Sequence, residues 1–216
     1  MGVNKIFDLL KKELPGVQKN VLLKNHSTFK IGGPAEYFLS VDKKSDLIKS
    51  IKIARNIKIP VFVLGGGSNL LISDSGLKGL VIKNQDKAKI VLKPNNIIEA
   101  PAGMVLGDVV DFSIKKSLAG LEWAGGLPGT FGGAVRGNAG AFGGEIKDSI
   151  IEVLALNNNF KLVKLSNKQC KFSYRSSIFK EKNWIVLSAL IELKKGDKKV
   201  LQKQDKEKIQ LSIHEG

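Results

Sequence analysis

A single cysteine, Cys170, leaves this 216-residue chain without an internal disulfide and without the thiol set of a zinc site. Histidine is nearly as scarce, with only His26 and His214, so no metal centre is expected. Arginine occurs three times, as Arg55, Arg136 and Arg175, although Lys+Arg outnumber Asp+Glu by 35 to 20 and the formal charge is +15. The excess is therefore lysine spread along the chain, which solvates a surface before it builds a binding patch. Basic clusters interleaved with aromatics are missing, as are helix-turn-helix, zinc-finger and RNA-recognition signatures, so no nucleic-acid partner is expected. No apolar run approaches the ~20 residues of a membrane span. The start, Met1-Gly2-Val3-Asn4-Lys5-Ile6, has no signal-peptide apolar region, and Ile6 stands where myristoylation needs Ser or Thr. A soluble, cytoplasmic protein with no membrane partner is the expectation. A composition of 43% hydrophobic and 25% charged residues is ordinary for a folded chain, and the length suffices for a core in one or two domains.

Glycine carries the strongest regional signal, because 17 of the 23 glycines lie between Gly65 and Gly144. Before that stretch, Asn4 to Leu14 reads as a short amphipathic helix with Ile6, Leu9 and Leu10 on one face, stopped by Pro15-Gly16 and packing as a lid or flank. Glu36 to Val41 reads as a strand. Ser45 is placed to cap a helix running to about Asn56, with Leu47, Ile48, Ile51 and Ala54 as its apolar stripe. Pro60 to Leu64 then forms a short buried strand, completing one βαβ-like unit. Strands follow around Leu80 to Ile82, Lys89 to Leu92 and Ile97 to Ala100, and a helix from Met104 to Leu118. Beyond Gly144, Ile151 to Leu156 and Phe160 to Leu165 flank Asn157-Asn158-Asn159 as a hairpin; Trp184 to Leu193 is a long strand and Lys199 to Ile213 a charged helix. The pattern is α+β, in two small adjacent lobes.

Two glycine elements carry chemistry. Gly65-Gly66-Gly67-Ser68-Asn69 follows a strand directly, where missing side chains let backbone N–H groups approach an anion and Ser68 and Asn69 add donors. It reads equally as a phosphate cradle and as a tight turn between core elements. No Lys-Ser/Thr pair follows, so it is not a P-loop, and Leu70 replaces the third glycine of a dinucleotide fingerprint. The second element runs from Gly125 to Ala134 and on through Asn138 to Gly144, and Pro128 is placed to open a short helix whose free N–H groups face a ligand. Two cradles suit a diphosphate, and small residues let a flat ring system lie against backbone. In Phe172-Ser173-Tyr174-Arg175-Ser176-Ser177, Arg175 reads on its own as a surface or salt-bridge residue and Tyr174 as a core residue. His26 reads as a hydrogen-bonded loop histidine, Cys170 as a small buried hydrophobe, and Glu122 and Trp123 as packing and capping residues.

Taken together, Ile31-Gly32-Gly33-Pro34-Ala35, Leu64 to Leu71, Gly126 to Ala134 and Asn138 to Gly143 closely resemble the UDP-N-acetylenolpyruvoylglucosamine reductase family, with order and spacing intact from about Leu22 to Leu193. The resemblance implies an α+β, FAD-binding fold of the vanillyl-alcohol oxidase (PCMH) type, with two lobes holding the dinucleotide between them. It implies that residues 1–21 form an N-terminal helix and flank. Residues 22–196 would be the FAD-binding domain, with lobes of about 22–84 and 85–196. Residues 197–216 would begin a substrate domain most of which is absent from this chain.

By the same resemblance Gly65, Gly66, Gly67, Ser68 and Asn69 would bind the FAD pyrophosphate. Gly129, Thr130, Gly132, Gly133, Asn138, Ala139 and Gly140 would line the flavin. Tyr174 would meet the substrate, and Arg175 would be catalytic, steadying the enolate-like charge that forms when hydride reaches an enolpyruvyl double bond. FAD as cofactor, NADPH as co-substrate, UDP-N-acetylglucosamine enolpyruvyl ether as substrate and a monomeric state are the corresponding expectations, in peptidoglycan synthesis. The family's proton-donating serine segment and its C-terminal glutamate do not occur in this chain, so the sequence is expected to be the flavin-binding fragment, inactive or weakly active. The alternatives are another FAD-dependent oxidoreductase of the same fold and a non-catalytic flavin-binding module.

Overall fold

The computed structural model describes residues 3–86 and 88–214, which form two compact units that divide after residue 87. In the first unit, α1 (Val3–Glu13) leads into β1 (Gln18–Leu22), β2 (Pro34–Val41), α2 (Lys44–Asn56), β3 (Val61–Leu64) and β4 (Leu77–Asn84). Its sheet has the order β1-β2-β4-β3, with β1 antiparallel to β2 and β4 parallel to both β2 and β3. The βαβ-like unit read from the sequence is present, but β4 lies between its two strands. That explains the composition of β4. Leu80, Val81 and Ile82 are all fully buried, as a strand covered on both faces requires. On one face Val81 meets Leu23, Ala35, Phe38, Leu64 and Ile72. Along α2, Leu47, Ile51 and Ala54 recur at helical spacing and are buried. The helix begins at Lys44 with Lys43 as its N-cap, not Ser45, whose exposed hydroxyl contacts Asp46 Oδ1 at 3.4 Å instead. Leu10 anchors α1 in the core, and Phe7 stacks on Tyr37 with ring centroids 6.3 Å apart, so this helix is a flank of the unit.

The second unit is built on an antiparallel sheet. Its elements are β5 (Val91–Lys93), β6 (Ile97–Pro101), α3 (Leu106–Lys115), β7 (Leu118–Ala119), α4 (Phe131–Gly137), β8 (Gly140–Ala141), β9 (Gly144–Glu145), β10 (Ile150–Leu156), β11 (Leu162–Ser166), α5 (Ile178–Glu181), β12 (Ile185–Glu192), β13 (Lys194–Lys195) and α6 (Lys198–His214). The main sheet runs β11-β10-β12-β6-β5. Inward residues of β6, β10 and β12, among them Ile98, Val153 and Ile191, meet Leu106, Val109 and Val110 of α3 and Phe131 and Val135 of α4. The Asn157–Asn159 hairpin forms as its sequence predicts: Asn157 Oδ1 accepts from the backbone N–H of Asn159 at 2.9 Å and of Lys161 at 3.0 Å. The expected helix from Met104 is two residues shorter at its start, because Val105 is extended and bridges Thr130.

Candidate functional site

The first glycine element leaves β3 at Leu64, which pairs with Lys83 of β4. The loop leans on the segment after β1. Gly67 has φ +71, its carbonyl accepts from Thr28 N–H at 3.2 Å, and a Cβ there would lie 2.1 Å from the His26 carbonyl oxygen. Packing alone therefore demands glycine at that position. The backbone N–H groups of Gly66, Gly67, Ser68 and Asn69 find no protein acceptor among the described residues, and Gly66 and Asn69 are exposed. Consecutive backbone amides without protein acceptors are the groups an anion binds, so this loop fits a diphosphate group.

Lys83, which lies outside the glycine motifs, stands at the base of this loop. Lys83 Nζ lies 3.2 Å from His26 Nδ1, and the His26 ring stacks on Phe38 at 4.5 Å. Burial, and then the Lys83 charge, hold the His26 pKa below its ordinary value, so the neutral ring accepts the ammonium hydrogen. The pair fixes a cation on β4, opposite the end of β3 from which the loop departs. Its sequence signal is only a charge one residue past the apolar run Leu80–Ile82.

The second glycine element differs from its sequence reading. The helix begins at Phe131 rather than Pro128, and Thr130 caps it, with Oγ1 accepting from Gly133 N–H at 3.3 Å. Phe131 N–H donates to the Met104 carbonyl and Gly132 N–H to the Ala102 carbonyl, both at 2.8 Å. The leading amides of α4 are thus satisfied within the protein, so the start of this helix does not offer free N–H groups to an anion. Gly132 is small because a Cβ would lie 2.5 Å from that of Ala102. What remains is a surface of little bulk: Gly129 and Thr130 are half-buried and Gly133 is exposed.

Close by in the same unit an open concavity of about 480 Å³ is lined by Asn138, Gly140, Glu145, Lys147, Tyr174 and Arg175, with Ala141 to Gly144 and Asp148 completing the wall. It brings two predicted flavin-lining residues, Asn138 and Gly140, to the predicted substrate residue Tyr174 and the predicted catalytic residue Arg175; Gly129, Thr130, Gly132 and Gly133 are not part of its lining, and Gly65 to Asn69 belong to the first unit. Tyr174 is 84% exposed, which removes the core reading of that side chain. Arg175 occupies the left-handed region, φ +53, at the tip of a turn closed by reciprocal hydrogen bonds of 3.1 Å between Ser173 and Ser176.

Glu145 and Lys147, also passed over in the sequence, pair in this concavity, and Asn138 Nδ2 donates to Glu145 Oε2 at 3.2 Å. The hydrogen bonds from Lys147 and then Asn138 hold the Glu145 carboxyl below its ordinary pKa, with a smaller push from the Arg175 charge. Asn138 itself is 1% exposed. Its remaining contacts are also to protein: Nδ2 donates to the Ser173 carbonyl at 2.9 Å and Oδ1 accepts from Lys147 N–H at 3.2 Å. Ala139 lies between Asn138 and Gly140 and is half-buried. The remaining candidates follow the sequence reading. Cys170 is fully buried and burial pushes its thiol up to about 12. Glu122 Oε2 accepts from Gly120 N–H at 2.6 Å, and Trp123 Nε1 donates to the Gly120 carbonyl at 3.1 Å. Among the described residues no cluster of three or more His, Cys, Asp or Glu is placed to hold a metal, and no helix is long and apolar enough to cross a membrane.

Known proteins resemble this chain in sequence and in fold. The family model described as an FAD binding domain matches residues 35–166. The chain aligns at TM-score 0.56 and 18% identity with 6-hydroxy-D-nicotine oxidase from Arthrobacter nicotinovorans, over 74% of this chain and 37% of that one, a likeness of fold alone. The protein is accordingly a member of the FAD-binding domain class, with the α+β architecture of the PCMH-type flavin oxidases.

Within that class the nearer relatives share one name. The UDP-N-acetylenolpyruvoylglucosamine reductase of Caldanaerobacter subterraneus subsp. tengcongensis is 40% identical over 205 residues, covering 95% of this chain and 67% of that protein. That of Clostridium novyi is 39% identical over 89% of this chain and 62% of the relative. The crystal structure of the Thermus caldophilus reductase superposes at TM-score 0.76 with 30% identity, over 90% of this chain and 68% of that one. The chain belongs to the UDP-N-acetylenolpyruvoylglucosamine reductase family and spans about two thirds of the length of these relatives.

Proposed function

We propose that this chain is the flavin-binding part of a UDP-N-acetylenolpyruvoylglucosamine reductase, with FAD as cofactor, NADPH as reductant and the UDP-N-acetylglucosamine enolpyruvyl ether as substrate. The observation that carries the reading is the concavity in which Tyr174 and Arg175 stand over the Asn138–Gly140 turn. Gly65 to Asn69 would hold the FAD pyrophosphate through their unpaired amides. Gly129, Thr130, Gly132, Gly133 and the backbone of Asn138-Ala139-Gly140 would offer the flavin a surface without bulk. When bound, FAD would supply the hydride that passes from NADPH to the enolpyruvyl double bond.

The side chains of the concavity divide the remaining work. The Lys147 ammonium is committed to Glu145, whereas Arg175 has no ion-pair partner among the described residues. Its guanidinium is a permanent, planar, two-pronged cation suited to a carboxylate and to the enolate-like charge that develops beside it. Tyr174, exposed at the same turn, would order the substrate against it. Nucleotide-linked substrate and NADPH place the reaction in the cytoplasm, and the dispersed lysines call for no nucleic-acid partner.

The test is the visible spectrum of the purified chain after incubation with FAD and removal of free cofactor. A retained, protein-perturbed flavin spectrum that disappears in a folded Gly66→Val variant is expected. A folded but colourless wild-type chain, or full retention by Gly66→Val, overturns the assignment of the cradle.

A further inference from the structure

Both feet of the turn that presents Arg175 are fastened to the C-terminal end of α4. At one foot, Asn138 Nδ2 donates to the Ser173 carbonyl at 2.9 Å. At the other, the Ser177 hydroxyl donates to the Arg136 carbonyl at 2.6 Å. Both side chains are essentially inaccessible, at 1% and 0% exposure. Ser177 is the N-cap residue of α5, yet its hydroxyl makes no capping bond to that helix. Asn138 caps α4 with left-handed backbone, φ 43 and ψ 59, but its amide reaches across 35 positions of sequence instead of closing its own turn. The two acceptor and donor sets are complementary. The last carbonyls of a helix lack partners within it, and the Ser177 hydroxyl satisfies one of them. The amide of Asn138 has two hydrogens, and they are divided between the Ser173 carbonyl and the Glu145 carboxylate.

We propose that Asn138 and Ser177 are positioning residues that clamp the Ser173–Ser176 turn onto α4 and thereby hold Arg175 in its left-handed conformation, pointed at the concavity. The proposal rests on the functional reading of Arg175 for its significance, but not for its structural content. A non-glycine residue at φ +53 is disfavoured by its own Cβ and persists only where the surroundings over-determine it. The two buried tethers, with the Lys180 ammonium donating to the Arg175 carbonyl at 3.0 Å, are that over-determination. The Asn138 tether has a second arm. Its bond to Glu145 places the carboxylate that neutralises Lys147, so the same amide that sets the arginine turn also leaves Arg175 as the unpaired cation of the site.

The experiment compares the full chain with Asn138→Asp, Ser177→Ala and Ser177→Thr by amide hydrogen exchange and backbone 13C shifts. Asn138→Asp keeps shape and the acceptor for Lys147 N–H but exchanges the donating NH2 for an oxygen facing a carbonyl and a carboxylate. In Asn138→Asp and Ser177→Ala, protection at Ser173 and Ser176 should fall about tenfold, the scale of one lost net hydrogen bond. The 13C shifts of Arg175 should leave their left-handed values for averaged ones, while β10 and β12 keep wild-type protection. Ser177→Thr, which restores the hydroxyl, should return the wild-type pattern. Unchanged Arg175 shifts in both tether variants, an equal loss of protection across the whole unit, or failure of threonine to rescue would each overturn the clamp. FAD retention by the wild-type chain, measured on the same samples, tests the functional reading separately, because the exchange and shift data need no bound flavin.

Discussion

Gly144 lies flat against the indole of Trp123, so close that a Cβ on Gly144 would fall 2.4 Å from the ring. The contact fixes the β8–β9 hairpin, one wall of the concavity, on a side chain that is itself 8% exposed and part of the core. The glycine in this motif is therefore set by packing, and the smoothness of the wall follows from it.

Gly144→Ala should accordingly destabilise the second unit by roughly 1–3 kcal/mol, the usual cost of overpacking. Denaturant unfolding of the variant, followed by tryptophan fluorescence, measures this directly, and Trp123→Leu in the same background should recover part of the loss.

Gly67 and Gly66 separate two roles inside one loop. Gly67→Ala places a methyl against the His26 carbonyl at a left-handed position, so it should lower stability by at least ~1 kcal/mol and lose flavin through a displaced loop. Gly66 is exposed, so Gly66→Val should lose flavin with an unaltered unfolding midpoint. Paired unfolding curves and flavin spectra distinguish the two outcomes.

Cys170 should be chemically silent while the protein is folded. Burial raises its thiol from an ordinary value near 9 to about 12, which leaves ~10³-fold less thiolate at pH 8 than a free cysteine has. Titration with a chromogenic disulfide reagent should show reaction only at the rate of unfolding, and one equivalent immediately after denaturation.

His26 gives the first unit a pH dependence of definite sign. Its folded pKa lies below the ordinary 6.5, so the unfolded chain binds the extra proton first. The contribution is fully present above the unfolded value and is lost as pH falls from 6.5 toward the folded value. Unfolding midpoints between pH 8 and pH 5 should decline in this window for the wild type and remain flatter for His26→Gln.

Much of this arrangement was legible in local pattern. The 3.6-residue recurrence of Leu47, Ile51 and Ala54, the asparagine hairpin and the glycine run after β3 are signals that neighbouring residues carry themselves. Ser45 and Pro128 misled because capping and helix initiation depend on where the chain arrives from: Val105 pairs with Thr130, and that pairing moves the start of α4 to Phe131. The insertion of β4 between β2 and β3, the Lys83–His26 pair and the bond from Asn138 to Ser173 join residues far apart in sequence, and no spacing rule encodes them. Within the motifs, small size at Gly67, Gly132 and Gly144 reports close backbone packing as directly as it reports room for a ligand.

The strand order of the first unit also sets a timetable for biosynthesis. β3 hydrogen-bonds to β4 alone, and β4 follows it in the chain. As the polypeptide leaves the ribosome, the glycine loop emerges before the strand that will anchor its base, and parallel pairing must wait until both partners are available. The base of that loop is thus fixed only when residues 77–84 arrive, and on the proposed assignment FAD would be held only after that step.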